Sequence, residues 1–260
     1  MALLNGRPAE PEALTALALT NYGHFTTMRV DEGRVRGLDR HLERLVRDCG
    51  LVFGARLDPD RVRGLLRDAV GDRADAFVVR VTILDPALDL GRPAAAGDPH
   101  VLVTQRAAAP ATPPPLRVRT VRHQRELAHV KHTGLFGSLH HRRAVQLAGD
   151  DDALFVHPAD GLVSEGATWS AGFVRDDDTV LWPRADVLPG VTMALLQEVH
   201  PHTVAPLTAA ELPRMRAAFA VNTAFGVRPL GAVDGTALDT GHPVLATLRD
   251  AYRALPGERL

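Results

Sequence analysis

Lysine and cysteine are nearly absent from this sequence, and long apolar runs are missing altogether. Lys131 is the single lysine, so arginine supplies the rest of the 30 basic residues. The one cysteine, Cys49, excludes a framework of internal disulfides and fits a reducing compartment. Without an apolar run of membrane-spanning length and without a signal pattern, the sequence predicts a soluble cytoplasmic protein.

Charge of one sign is also lacking. The 30 basic and 31 acidic residues leave a formal net charge of -1, and they are spread along the chain without blocks. This balance provides no electrostatic reason to expect a nucleic acid or a membrane surface as partner. A chain of 260 residues with 45% hydrophobic content can bury a core in one or two domains.

Lys131 is the candidate reactive group because its chemistry differs from that of the arginines around it. An amine can lose its proton and attack a carbonyl to form a Schiff base, which a guanidinium cannot do. A lysine that served only as a positive charge would be out of keeping with the arginine bias of the chain. The alternative interpretation is an ordinary surface lysine.

Glu165 is the second candidate, about thirty residues downstream. The apolar run 153–156, a turn signal at residues 158–161 and the segment 162–166 predict a β-hairpin with Glu165 at the end of its second strand. Gly166 beside it allows backbone to approach a ligand closely. The position suits a carboxylate that pairs with a buried cation, and the alternative is a solvated acid at a strand end.

Histidines close to Lys131 raise the question of a metal site. The adjacent pair His140 and His141 would point in different directions on a helix, and no carboxylate lies at a helical ligand spacing. We therefore expect no metal.

Together these features resemble the class IV (fold type IV) pyridoxal-phosphate enzymes, which include branched-chain and D-amino-acid aminotransferases and aminodeoxychorismate lyase. Their motif has a lysine, a helix ending in a small residue, an acidic stretch leading into "ALF", a hairpin and "EG". In this sequence the motif appears at Lys131, residues 142–149, residues 150–155 and residues 164–166. The resemblance implies that pyridoxal 5'-phosphate is held by Lys131 as a Schiff base, with Glu165 keeping the pyridine nitrogen protonated.

A second motif of the same family lies near the N-terminus. The sequence reads "G-x-F-T-T-x-R-V-x-x-G" from Gly23 and then "H-L-x-R-L" from His41. The resemblance implies that Arg44 grips the cofactor phosphate, and a guanidinium suits phosphate oxygens. It also implies a catalytic place for Thr26, because the lyase branch carries a threonine near the cofactor here; the alternative is a strand-forming threonine. We interpret His41 as a packed, hydrogen-bonded residue.

Further cofactor and substrate contacts follow from the resemblance. Val191 and Thr192 match the family segment that binds phosphate where a helix begins, and helix N-termini present unpaired amides to anions. Asn222 and Thr223 match a turn near phosphate and substrate; Asn222 is typical of the lyase branch, although asparagine is also common in turns. Arg92, in a loop between two strands, is a candidate for binding the substrate carboxylate.

The resemblance also implies the architecture, an α+β fold with two domains. We predict a small N-terminal α/β domain over residues 1–106, a proline-rich linker over 107–115 and a larger, β-barrel-like cofactor domain over 116–260. Apolar periodicity predicts a helix over residues 138–148 with Leu139, Ala144, Leu147 and Ala148 facing inward. The class usually forms homodimers, so we expect one here.

Two departures from the family pattern bear on the reaction. Phe136 occupies the place of a tyrosine whose phenol contacts the cofactor in many transaminases, and the segment around Trp169 replaces the usual "S-N-x-F". Three functions follow: an aminotransferase acting on a small amino acid, an aminodeoxychorismate lyase-like elimination that releases pyruvate, or a degenerate member that binds a ligand without turnover. Because aminotransferases are the more common members of this family, we rank the aminotransferase first of the three.

Overall fold

The structure is a computed structural model that describes residues 1–73, 75–95, 97–108 and 113–260. Its α-helices are α1 (Pro11–Thr20), α2 (Leu38–Phe53), α3 (Pro59–Val70), α4 (Phe136–Leu147), α5 (Val191–Val199) and α6 (Pro243–Ala254). Its first strands are β1 (Ala2–Leu4), β2 (Arg7–Pro8), β3 (Gly23–Val30), β4 (Arg34–Val35), β5 (Phe77–Leu84) and β6 (His100–Ala107). The later strands are β7 (Leu116–Arg122), β8 (Asp152–Val156), β9 (Val163–Gly166), β10 (Ser170–Val174), β11 (Val180–Pro183), β12 (His202–Ala205), β13 (Ala217–Asn222), β14 (Gly226–Val233), β15 (Thr236–Ala237) and β16 (Glu258–Arg259).

The chain forms two compact units. The first contains Met1–Ala109, Val130–Gly134 and Pro256–Leu260, and the second contains Pro110–His129 and Leu135–Leu255. The division into residues 1–106, 107–115 and 116–260 stays a prediction, and linker residues 109–112 lie outside the described residues. Two short segments that we had assigned to the C-terminal domain, one of them carrying Lys131, pack in the first unit.

The first unit is built on an antiparallel sheet with the order β2-β1-β6-β5-β3 among the described strands. Side chains alternate between the two faces of a strand. One face of the sheet packs on α2 and α3 and forms the core, and the other face points away from these helices. Met28 and Val30 of β3 lie in that core with Val79 and Val81 of β5. Phe25 lies three residues before Met28, and because this interval is odd, its side chain is on the opposite face of the sheet.

Helix α2 carries the residues of interest and is fixed at its beginning by the C-terminal tail. Its N-cap is Gly37, with φ 67° and no side-chain cap. The backbone N–H of Leu38 instead donates to Glu258 Oε1 at 2.8 Å, and β16 pairs with β4 next to it. The Glu258 carboxylate also interacts favourably with the positive end of the helix dipole. Residues distant in sequence therefore help to determine where α2 begins.

The second unit is organised by a closed ring of strands. Within the part of the chain that the structure describes, β10, β13, β14, β7, β8 and β9 follow one another, and a β9–β10 pairing closes the ring through Glu165 and Ser170. The predicted hairpin is confirmed, because β8 and β9 pair antiparallel with Val156 opposite Val163. The α+β architecture with a barrel-like C-terminal part is likewise confirmed.

The predicted inner face of α4 was wrong. Leu139 and Leu147 are 49% and 72% exposed, whereas Ser138 and Val145 are buried. Apolar periodicity misassigned the face because α4 packs on β8, where Val145 rather than a leucine clusters with Ala153 and Phe155. No helix among the described residues is both long and apolar enough to cross a membrane.

Candidate functional site

A row of buried polar side chains on α2 is the centre of the site in the first unit. His41, Arg44 and Asp48 are 0%, 7% and 0% exposed. Intervals of three and four residues place them on one face of the helix, the face that packs on β3. The inward face of an amphipathic helix is normally apolar, so these polar residues are exceptions. Burying them costs free energy unless they form hydrogen bonds or ion pairs.

Thr26 on β3 is the partner of the first two residues of this row. Its Oγ1 lies 2.7 Å from His41 Nδ1 and accepts a hydrogen bond from Arg44 Nη2, also at 2.7 Å. Arg44 Nη2 is 3.4 Å from His41 Nδ1 as well. Because two donors face Nδ1, we assign it as the acceptor and place the imidazole proton on Nε2. The Thr26 hydroxyl therefore orients Arg44, and the interpretation of His41 as a hydrogen-bonded core residue is confirmed.

Burial and neighbouring cations set the charge states here. Burial lowers the pKa of His41 well below its ordinary value, and the charges of Arg44 and Lys131 lower it further. Burial also lowers the pKa of Arg44 to about 10, which leaves the guanidinium charged at neutral pH. The cluster thus combines a neutral imidazole, His41, with a charged guanidinium, Arg44. Its net positive charge makes it suited to binding an anion.

His24 gives this unit a predictable response to acid. The side chain is fully buried, both ring nitrogens are without partners among the described residues, and burial lowers its pKa to about 4. The unfolded chain takes up the proton below about pH 6.5, whereas the folded one resists it until about pH 4, so stability falls as pH falls through this window. We expect His24→Leu to remove of order 3 kcal/mol of this dependence in denaturant unfolding at pH 7 and pH 4. Replacing the exposed His129 by glutamine is the control, and an unchanged slope in His24→Leu would contradict the assignment.

Lys131 lies against β3 in the first unit. Its carbonyl accepts the Phe25 N–H at 2.8 Å, and its own N–H donates to Asp48 Oδ2 at 3.0 Å. Its Nζ is 4.8 Å from the centroid of the Phe25 ring. The structure therefore brings the predicted residues Lys131, Thr26 and Arg44 into one neighbourhood, which their separation in sequence does not reveal.

Arg80 is a residue of this neighbourhood that sequence reasoning missed. Its guanidinium carbon lies 3.6 Å from the centroid of the same Phe25 ring, and its Nε donates to Thr82 Oγ1 at 3.1 Å. Burial lowers its pKa. The signal was available, since an arginine interrupts an otherwise apolar run in β5. Arg92, the predicted carboxylate ligand, is instead exposed in the loop after β5, where its N–H donates to Asp89 O at 3.0 Å.

In the second unit, Glu165 is held by a buried ion pair. Its Oε1 accepts from Arg125 Nε at 2.8 Å, and both side chains are 9% exposed. The backbone N–H of Leu188 donates to Oε2 at 3.3 Å, and Arg125 also donates to the carbonyl of Ala128. The expectation that Glu165 pairs with a buried cation is met by a protein side chain, Arg125, which the sequence did not single out.

The beginning of α5 carries an unusual polar group. Thr192 is 2% exposed and its Oγ1 has no hydrogen-bond partner among the described residues, while Val191 beside it is 6% exposed. The N-cap, Gly190, has no side chain to bond the first amides, and a Cβ there would lie 2.6 Å from Ser170 Oγ. Unpaired amides and an orphaned hydroxyl at one helix end are suited to an anionic ligand.

Asn222 and Phe136 occupy structural positions. Asn222 Oδ1 accepts from the N–H groups of Ala224 and Phe225 at 2.9 and 3.1 Å, which closes the turn after β13, and Thr223 lies in that turn, partly buried. Phe136 begins α4 and is 80% exposed. The side chain of Asn222 thus has a local role that does not depend on a substrate.

The fold defines the class of protein. A branched-chain aminotransferase from Thermoproteus uzoniensis, solved with norvaline, matches with TM-score 0.88 and 20% identity over 97% of this chain and 93% of its own. A hypothetical aminotransferase from Mycobacterium tuberculosis in its PLP-bound form matches with TM-score 0.83 and 20% identity over 98% of each chain. The 4-amino-4-deoxychorismate lyase from Pseudomonas aeruginosa matches with TM-score 0.81 and 25% identity over 97% of this chain and 98% of its own.

The chain belongs to the class IV aminotransferase family. The family described as amino-transferase class IV matches residues 23–233, which include both motifs and the predicted cofactor contacts. A search of curated protein sequences found no match. The protein is therefore an enzyme, and pyridoxal phosphate is the cofactor of its family.

Proposed function

We propose that the protein is a pyridoxal-phosphate-dependent aminotransferase that acts on a small amino acid through a Schiff base at Lys131. The observation that carries the proposal is the neighbourhood of the single lysine: its main chain is held by β3 and Asp48, and its charge acts on His41 beside the buried Arg44. An amine in this neighbourhood can attack a carbonyl to form a Schiff base, which the arginines around it cannot do.

The described residues fit the cofactor on their chemistry. In the first unit, Arg44 offers a guanidinium to phosphate and Lys131 offers an amine to the aldehyde. In the second, Thr192 offers its orphaned hydroxyl and the first amides of α5 to phosphate, and Glu165 offers a carboxylate to the pyridinium nitrogen. These roles for Arg44, Glu165, Val191 and Thr192 are those that the family resemblance implies.

Lys131 has two tasks in the proposed reaction. When bound, pyridoxal phosphate supplies an electron sink for a carbanion at the substrate Cα. Lys131 would hold the cofactor through its amine, and the same Nζ, once released, would take the proton from the substrate Cα and give it back. Glu165, held in place by Arg125, would offer a carboxylate to the ring nitrogen and so favour its protonated form.

Arg80 is our candidate for the substrate carboxylate in place of the exposed Arg92. Both Arg80 and Lys131 contact the Phe25 ring, so a cation for the carboxylate stands near the amine that attacks the carbonyl carbon. A guanidinium stacked on a ring is held in one orientation, which favours a bidentate contact with a planar carboxylate.

The lyase-like alternative rests on Thr26, Asn222 and the match to the Pseudomonas enzyme. In the structure the Thr26 hydroxyl bonds His41 and Arg44, and the Asn222 amide closes a turn. Both side chains already have partners, so their identity favours elimination less than the sequence suggested. Nothing in the comparisons favours the non-catalytic alternative. The homodimer and the cytoplasmic location stay predictions.

An absorbance experiment tests the proposal. Purified protein with pyridoxal phosphate is expected to show a visible band at about 410 to 430 nm, typical of a lysine-bound cofactor. The protein is then mixed with a panel of L- and D-amino acids and with aminodeoxychorismate. Conversion to pyridoxamine phosphate with release of a keto acid supports transamination, whereas pyruvate release with the band restored supports the lyase. No band with cofactor in excess would leave only the non-catalytic alternative.

Thr192→Val separates the phosphate role from a structural one. Removing a hydroxyl that bonds a charged ligand should weaken pyridoxal-phosphate binding by about 10-fold to 100-fold. The cofactor-free protein should keep its stability, because the lost hydroxyl has no partner among the described residues. Fluorescence titration and thermal unfolding measure the two effects. Thr247→Val, at an exposed position of α6, is the comparison; equal losses of stability and affinity in Thr192→Val would contradict the assignment.

A further inference from the structure

Asp48 is a fully buried carboxylate whose two oxygens have different partners. Oδ1 accepts from Arg47 Nε at 2.9 Å and Nη2 at 2.6 Å. Oδ2 accepts the backbone N–H of Lys131 at 3.0 Å. Two N–H groups of the Arg47 guanidinium donate to the same oxygen, Oδ1, while Oδ2 accepts from Lys131. A charged acceptor makes the bond to Lys131 stronger than one between neutral groups.

The opposite edge of the lysine segment is held by β3. Besides the bond from Phe25 to Lys131, the Thr133 N–H donates to the carbonyl of Gly23 at 2.8 Å, and His132 pairs with His24 as an isolated bridge. A Cβ at Gly23 would lie 2.5 Å from the carbonyl oxygen of Ile83, so glycine permits the close pairing of β3 with β5 at this point. The main chain of Lys131 is therefore bonded on both sides.

Asp48 also acts electrostatically on its surroundings. Its charge opposes the effect of burial on both His24 and Arg44, raising the pKa of each, while Arg47 acts in the opposite direction. The carboxylate belongs to the same face of α2 as Arg44, one turn later. A single buried anion thus connects the arginine assigned to phosphate with the main chain of the lysine assigned to the aldehyde.

We propose that Asp48 is a positioning residue for Lys131. It fixes the lysine main chain relative to α2, so that Nζ starts from one place when it attacks a carbonyl or accepts a proton. The inference rests on the proposed function, because Lys131 must be the reactive amine. Misplacement of a reacting group by about 1 Å can cost about 100-fold in rate. We expect Asp48→Asn to lower both kcat and the rate of cofactor attachment by about 10-fold to 100-fold, with a smaller effect on KM.

The single lysine makes a direct measurement possible. Protein labelled with ¹⁵N only at lysine has one backbone amide signal, that of Lys131, and hydrogen exchange at this signal reports the bond to Asp48 without any cofactor. In Asp48→Asn this exchange should be at least about 10-fold faster. The matched control is Asp152→Asn, which alters a buried carboxylate bound by Arg142 and Trp169 in the second unit. It should leave the exchange and the rate of cofactor attachment unchanged.

The outcomes are distinct. Faster exchange with unchanged attachment rate and kcat would show that Asp48 is only structural and would overturn the inference, as would unchanged exchange. If the wild type never attaches the cofactor, the proposed function fails, and the inference with it, whatever the exchange shows. Should Asp48→Asn not fold, Asp48→Glu keeps the charge and moves the oxygens by one methylene. It should slow attachment about 10-fold, and a wild-type rate in that variant would overturn the inference.

Discussion

Replacing Lys131 by alanine is expected to abolish the visible band of the lysine-bound cofactor and to lower turnover by about a thousandfold or more. The variant loses the nucleophile that holds the cofactor and the base that removes the Cα proton. Stability should change little, because the backbone bonds of Lys131 to Phe25 and Asp48 remain when the side chain is shortened. Absorbance with pyridoxal phosphate and single-turnover kinetics measure the two effects.

Lys131→Arg is the matched variant, since it keeps the positive charge and removes the reactive amine. It should fail as Lys131→Ala does, whereas a role limited to charge would survive the change. Borohydride reduction of the wild type with the cofactor should label one internal peptide, because the chain has one lysine. A visible band of wild-type intensity in either variant would refute the assignment.

Glu165→Gln is expected to have the second largest effect. The amide cannot provide the negative charge that keeps the pyridine nitrogen protonated, so kcat should fall by about 100-fold or more. The variant also removes the carboxylate charge that pairs with the buried guanidinium of Arg125, which should cost about 3 kcal/mol or more of folding stability. Denaturant unfolding and steady-state kinetics of the holoenzyme separate the two losses.

Asp152→Asn provides the comparison for Glu165→Gln as well. Its partner Arg142 lies 2.6 Å away, and the two side chains are 7% and 23% exposed, so this pair is also largely buried. The two variants should lose similar stability, but only Glu165→Gln should lose activity at temperatures where both remain folded. Equal loss of activity would mean that Glu165 acts through folding alone.

The hairpin before Glu165 was readable from the sequence because local chemistry specifies it. It follows from a turn signal between two apolar runs. The predicted face of α4 was wrong, because apolar periodicity follows the leucines and cannot show that Val145 makes the contact with β8. Arg125 and Asp48 were missed, since a single ionic residue in a helix or loop resembles any solvated one until its partner is known.

The sequence by itself determined the family and the order of the motifs, because these depend on residue types at fixed spacings. It is also the basis for proposing Lys131 as the reactive amine, since the chain has one lysine. The tertiary structure alone decided which groups work together. It brings Thr26 onto His41 and Arg44, and Asp48 onto the backbone of Lys131, across 83 positions of sequence. The reason is physical: a buried polar group is stable only with a partner, and folding brings that partner from a distant part of the chain.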